Sequence, residues 1–285
     1  MLQFVDFDRY PPGEELEGLV EWFWSVSWDL PDGDPHHQQV LSHPAGNISV
    51  GTIDDDHPVL DPPQGRVYGV QKDMSHRLLT GQGWTVAART TVGGLGVFLD
   101  RPARSLAASS EPLGTALPGL DASSTVTTVS ASPDNKARVG HLRQALTNLV
   151  AGRNPDLLAE ARLVASIARH AETDRSICQV GDLAHVAGIS VRSLQRLFDR
   201  HVGVSPSFVI RRWRIIEAAE AAKFAATETG NGRDPDRADP NLTPWRGWAT
   251  LAAELGYADQ AHLSRDFRHH LGVTPSQYVA DATAT

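Results

Sequence analysis

The stretch from Gly188 to Pro206 returns further along the chain as Gly256 to Pro275, and this internal repeat is the strongest constraint on the fold of the C-terminal half. With Leu194 set on Leu263, an offset of 69, Arg196 falls on Arg265, Phe198 on Phe267, His201 on His270, Gly203-Val204 on Gly272-Val273, and Ser205-Pro206 on Thr274-Pro275. Upstream the offset drops to 68, pairing Leu183-Ala184 with Leu251-Ala252 and Gly188 with Gly256, so one residue has been gained in the turn. Each copy reads as helix, glycine turn, helix.

In the first copy, apolar residues at Val191, Leu194, Leu197, Phe198 and Val202 form one helical stripe, which leaves Arg192, Gln195, Arg196 and Asp199 on the other face. Ser190 is placed to cap the helix start and Gly203 to end it. The second copy has Asp259 as cap, a stripe of Leu263, Phe267 and Leu271, and Gly272 as stop; Gln260, Ala261, Ser264, Arg265 and Arg268 face outward. Two helices on a short glycine turn, the second carrying outward Arg and Gln, is the helix-turn-helix plan, whose second helix enters the DNA major groove. Such units also serve as plain packing modules. Two in tandem, joined by the helical stretch from Ser207 to Thr227, favour DNA, because they can offer reading helices to successive major-groove segments about one turn (~34 Å) apart.

At these residues the chain resembles the AraC/XylS family of bacterial transcription regulators. The likeness spans about Ile177 to Val279 and rests on Leu183-Ala184, Gly188, Ser190, Leu194, Arg196, Phe198, Gly203 to Pro206, Leu251-Ala252, Gly256-Tyr257, Asp259-Gln260, Leu263 to Arg265, Phe267, Gly272 to Pro275 and Tyr278. The resemblance implies a seven-helix domain of two helix-turn-helix units bridged by a long helix. It also implies that Arg192, Gln195 and Arg196, then Gln260, Ser264 and Arg265, contact double-stranded DNA, with Ser190, Arg200 and Arg268 placed for phosphate contacts. Arg and Gln are the side chains that bond guanine and adenine edges bidentately.

The chain departs from the family pattern between the bridging helix, about 205–227, and the second unit, about 248–272. Residues 228–247 are rich in Gly, Pro and Asp where the family has only a few residues, and they read as an inserted surface loop. The alternative is a tether that softens the spacing of the two reading helices.

A chain of 285 residues suggests two domains. Its single cysteine, Cys178, excludes an internal disulfide and any Cys-rich metal site, and fits a reducing cytoplasm. Met1 to Glu17 is acidic and contains prolines, so no signal peptide is expected, and no apolar run has membrane-spanning length. The net charge of −8 is confined to one part. Residues 174–285 carry 13 basic and 13 acidic side chains, while residues 1–173 carry 13 and 21. Affinity for DNA would therefore rest on local clusters such as Arg192/Arg196/Arg200 and Arg211/Arg212/Arg214 rather than on bulk attraction.

The first 131 residues read as a β-rich barrel or sandwich. Trp22, Trp24, Val26 and Trp28 alternate along one strand, and 39–41, 47–52, 66–70, 85–91, 96–98 and 125–130 are further strand candidates between Pro and Gly turns. Pro35 to Leu41, the Gly46 to Val50 strand and Gly96 to Pro102 resemble the cupin-related sensory domain of some members of the same family. A small-molecule effector pocket would use Trp22, Trp24, Trp28 and His43, although an aromatic stripe is more commonly core. Metal binding by His36, His37, His43 and His57 lacks the His-x-His and following Glu that cupin enzymes use, so no metal or other cofactor and no catalytic residue is expected.

Between the halves, residues 132–173 read as two helices. The first starts at Ser132-Pro133 and turns Val139, Leu142, Leu146, Leu149 and Val150 to one side; the second starts at Pro155. They can pack on the barrel or pair two subunits into a homodimer.

The expected architecture is thus α+β in two domains: a sensor over 1–131, a helical connector over 132–173, and an all-α DNA-binding domain over 174–285 with its first unit at about 180–203. The expected function is sequence-specific transcription regulation in the cytoplasm, with RNA polymerase a partner if the protein activates. The competing readings are a cupin-type metalloenzyme fused to a DNA-binding domain and an architectural DNA binder. If 229–244 is only a surface loop, a short Gly-Ser connector in its place changes loop-closure entropy by about 0.6–1.2 kcal/mol. Thermal unfolding and DNA affinity of the shortened protein should then match the parent.

Overall fold

A computed structural model describes residues 5–31, 35–53, 59–230 and 247–278. The insertion lies mostly outside these residues, as does His57.

The N-terminal half is built on a six-stranded antiparallel sheet in the order β1-β2-β7-β4-β5-β8: β1 (Val5–Tyr10), β2 (Val20–Asp29), β7 (Gln82–Thr90), β4 (Asn47–Gly51), β5 (Gln64–Tyr68) and β8 (Ser110–Pro112). A second sheet pairs β3 (His36–Val40) with β6 (Ser75–Leu79). Alternation along β2 splits its side chains. Phe23 is buried and Ser25 hydrogen-bonds Tyr10, on the face covered by a helix; Trp22, Trp24 and Trp28 take the opposite parity.

Two of the expected strands are helices. Residues 125–130 belong to α3 (Ala122–Ser130), which follows two short helices, α1 (Leu95–Phe98) and α2 (Leu113–Ala116). The β-branched run from Thr125 to Val129 suggested a strand. Asp121 nevertheless caps a helix by accepting from the Ser124 amide at 2.9 Å, and Thr125 and Val129, one turn apart, are its buried positions. Residues 96–98 lie in α1, a turn buried at every position, where a short apolar run cannot announce its own period. Strands β1, β6 and β8 escape the sequence reading: β1 and β8 lie at sheet edges and β6 in the small second sheet, so none carries a clean alternation.

Both helices read from the sequence between the halves are present. Helix α4 (Asn135–Ala151) starts behind its cap Asp134, two residues after Pro133, and lays Val139, Leu142, Leu146, Leu149 and Val150 into the sheet core. Helix α5 (Pro155–Thr173) begins at Pro155 behind Asn154. It contributes Ala161 to that core and Val164, Ile167, Ala168 and Ala171 to the next.

The C-terminal half contains α6 (Val180–Val186), α7 (Val191–His201), α8 (Pro206–Gly230), α9 (Trp248–Glu254) and α10 (Gln260–Leu271). The long helix α8 begins at Pro206 and runs to Gly230, so residues 228–230 of the supposed loop are helical. It is a shared wall. Val209, Ile210, Trp213 and Ile216 join the core of the first unit with Leu183, Leu194 and Phe198; Ile215, Ala218 and Ala219 join that of the second with Leu251, Leu263, Phe267 and Leu271. The spacings 209-213-216 and 215-218/219 put these sets on different faces of one helix.

Phe198 and Phe267 are completely buried at repeat-related positions. Truncating either to Ala should cost ~3–5 kcal/mol, read from urea unfolding of the whole chain. An unchanged midpoint in either variant would show that its ring is not structural.

Candidate nucleic-acid interface

The two units are built alike. In the first, α6 ends at a turn where Gly188 has φ 64°, and the Ser190 hydroxyl accepts the Ser193 amide at 3.1 Å to start α7. In the second, Gly256 has φ 77° at the equivalent turn, and the Asp259 carboxylate accepts the His262 amide at 2.6 Å to start α10. A left-handed residue at this turn is tolerated best by glycine, which is why both copies keep it.

With Leu194 and Phe198 buried on one side of α7, Arg192, Gln195, Arg196 and Arg200 are left exposed. On α10, burial of Leu263, Phe267 and Leu271 leaves Gln260, Arg265 and Arg268 exposed and Ser264 half-buried. Val191 is a correction to the sequence stripe. Standing at the first helical position, it projects beyond the core and is 40% exposed.

Two phosphate candidates are already engaged. Ser190 is the helix cap, and Arg200 donates from Nη1 to Glu160 Oε2 of α5 at 3.0 Å. The same carboxylate oxygen meets His201 Nε2 at 3.2 Å, and Asp199 pairs with Arg104 at 3.2 Å. The Asp199–Arg104 pair is exposed and contributes only about 0–1 kcal/mol. Closer contact comes from Gly203, whose φ of 93° and position 2.7 Å, at an added Cβ, from the Ala103 carbonyl admit no side chain. The first unit therefore sits directly on the N-terminal half.

The proposed Arg211/Arg212/Arg214 cluster is not a surface patch. Arg211 is exposed, but Arg212 is fully buried and Arg214 3% exposed. Arg214 donates from Nη2 to the carbonyls of Asp174 at 2.8 Å and Ile177 at 3.1 Å, which close the segment leading into α6. Arginines spaced this closely on a helix cannot all face solvent when the helix is buried on most of its surface. The sequence signal for this was the dense run of Val, Ile and Trp around them.

The four residues expected to line an effector pocket are engaged separately. The Trp22 ring takes the guanidinium groups of Arg9 and Arg89, at 4.6 and 4.3 Å from the ring centre. Trp24 stacks on Phe7 and donates Nε1 to Asn47 at 3.3 Å. Trp28 is buried, donates to the Thr80 carbonyl at 3.2 Å, and with Trp84, Thr52 and Arg138 lines an open groove of about 870 Å3. His43 meets Trp213 of α8 edge to face at 5.6 Å. Among the described residues no three His, Cys, Asp or Glu side chains converge as a metal site would require, and no helix is long and apolar enough to cross a membrane.

A β-rich N-terminal half followed by two helix-turn-helix units defines the class of this protein, and sequence comparison narrows it. Residues 247–280, which hold the second unit, match the profile of the bacterial regulatory helix-turn-helix proteins of the AraC family. Residues 8–112 match a domain of unknown function, DUF6597. No curated protein matches the chain. Among solved structures, the C-terminal domain of AraT, a response regulator from Geobacillus stearothermophilus, is 20% identical, covering 42% of this chain and 84% of that one with a TM-score of 0.33. ToxT from Vibrio cholerae is 11% identical over 98% of both chains with a TM-score of 0.40. Its unsaturated fatty acid-bound form is 12% identical, covering 92% and 96%, with a TM-score of 0.40.

Burial holds His270 neutral down to about pH 4 and His43 down to about pH 3. An unfolded chain takes up those protons near pH 6.5. This stability is therefore present above pH 6.5 and is lost as pH falls from there towards 4. Glu21 and Glu172, raised by burial, act in the opposite sense near the carboxylate range. The unfolding temperature should be nearly flat from pH 8 to 7 and decline below 6.5. His270→Leu should make that decline shallower, and an unaltered slope in the variant would place the proton uptake elsewhere.

Proposed function

We propose that the protein is a sequence-specific DNA-binding transcription regulator that reads two successive major-groove segments with α7 and α10. The observation that carries this reading is the matched exposure of the two faces. The apolar stripes of both helices are spent in the cores of their units, which leaves Arg196 and Arg265 exposed at repeat-related positions; with Arg192 and Gln195 in one unit and Gln260 in the other, they are free of ion pairs among the described residues. The match of the second unit to the AraC-family profile supports it, and the repeat extends it to the first. Residues 174–285 form the DNA-binding part in this reading and 132–173 the connector. Residues 1–131 sense a small-molecule effector in the cytoplasm. Ser264 contributes through its half-exposed hydroxyl, and Arg268 contacts phosphate. Arg200, tied to Glu160, can reach DNA only by giving up that pair.

Selection of bound sequences from a random DNA pool tests the reading directly. Arg196→Ala and Arg265→Ala should each cost ~1–3 kcal/mol of specific binding and relax preference at different base positions, while Gln195→Ala has a milder effect of the same kind. A sequence preference unchanged in both arginine variants would remove the assignment.

A further inference from the structure

Arg212 presents a problem that DNA binding does not solve: it is a fully buried guanidinium whose hydrogen bonds, among the described residues, all go to backbone carbonyls, with the charge of Asp73 nearby. Its Nη1 donates to the His270 carbonyl at 3.0 Å, in the last turn of α10, where backbone oxygens lack helical partners and a positive charge meets the negative end of the helix dipole. Its Nη2 donates to the Gln71 carbonyl at 3.2 Å and to that of Lys72. One side chain thus joins α8, the end of the second reading helix and a segment of the N-terminal half.

That segment, residues 69–74 between β5 and β6, is seated between the two units. Val70 is buried in the core of the first unit with Phe198 and Val209, and Met74 in that of the second with Leu263 and Phe267. Its near end is fixed to the N-terminal body: the Gly69 amide donates to Ser109, the Ala108 amide to the Val70 carbonyl, and the Gln71 amide group to Gly69 and Ser109. Its far end runs straight into β6 and the small second sheet. A movement of either sheet against the other must shift residues 70–74.

We propose that residues 70–74 are the element through which the N-terminal half governs DNA binding, and that Arg212 is the positioning residue that clamps this wedge and so fixes the seat of the second reading helix relative to the first. The inference rests on the DNA-binding reading above. Arg212 touches no base or phosphate in this scheme; it acts on α10 through the His270 carbonyl. Lysine could not replace it, since a single ammonium lacks the fork that spans two separate carbonyl sites.

The test uses the full-length protein, Arg212→Met, a variant with two glycines inserted between Lys72 and Asp73, and the two changes combined. Amide hydrogen exchange reads the seat of each unit without DNA. Exchange across 248–271 should rise by ~10-fold or more in both single variants, while 191–202 changes less than ~2-fold. The combined variant should go no further than the larger single effect, as expected of changes acting through one contact. On DNA sites whose half-elements are separated by one to three extra base pairs, both variants should tolerate more spacings than the parent. Equal acceleration in both units, no acceleration in the second, or additive effects would overturn the clamp. Altered exchange with an unchanged spacing profile would overturn the link to DNA binding while leaving that reading intact. A parent protein that selects no sequence from a random pool would remove the DNA-binding reading itself.

Discussion

The C-terminal half depends on burial of α8 on more than one side. A helix-turn-helix unit has too few residues to enclose its own apolar stripe, so each needs a wall to pack against, and here both units use the same one. Val209, Trp213 and Ile216 serve the first, and Ile215, Ala218 and Ala219 serve the second. A helix with apolar side chains on two faces is stable only when both are covered. That requirement forces the arginines on the buried faces of α8 to find internal partners, and it explains why Arg212 and Arg214 end on backbone carbonyls.

Those carbonyl contacts join parts that are distant in sequence. Arg214 closes the loop entering α6, and Arg175 of the same loop donates from Nε to Glu217 on α8 at 2.7 Å and approaches Glu254 of α9 at 3.9 Å. Arg212 reaches in the other direction, to the N-terminal half and to α10. The exposed ion pairs contribute little individually. The buried guanidinium contacts are different, since removing their acceptors would strand a charge away from water. Geometry at this junction is consequently far less free to drift than at the outer surfaces of the two units.

The repeat makes the two units similar without giving them the same neighbours. Gly203 lies against the Ala103 carbonyl of the N-terminal half, whereas a Cβ added at its counterpart Gly272 would meet nothing within 4 Å among the described residues. His201 meets Glu160 of the connector, whereas His270 packs against the Phe208 ring with its carbonyl on Arg212. One motif has been fitted to two environments, one resting on the N-terminal half and α5 and the other held through α8 and residues 70–74.

What the sequence determined by itself was local and periodic. The stripes Leu194/Phe198 and Leu263/Phe267/Leu271, the caps Ser190 and Asp259, the turn glycines and the α4 face from Val139 to Val150 follow from helical spacing and backbone requirements that act within a few residues. They define the fold class of the C-terminal half and the outward arginines. Only tertiary structure decided that residues 125–130 coil rather than extend, because two opposing signals, β-branching and a cap at Asp121, were settled by the packing of Thr125 and Val129. Only tertiary structure could bury Arg212 against Gln71 and Lys72, about 140 positions earlier in the chain. A contact between a guanidinium and a backbone carbonyl leaves no residue-type signature on the accepting side, so no reading of one sequence could have found it.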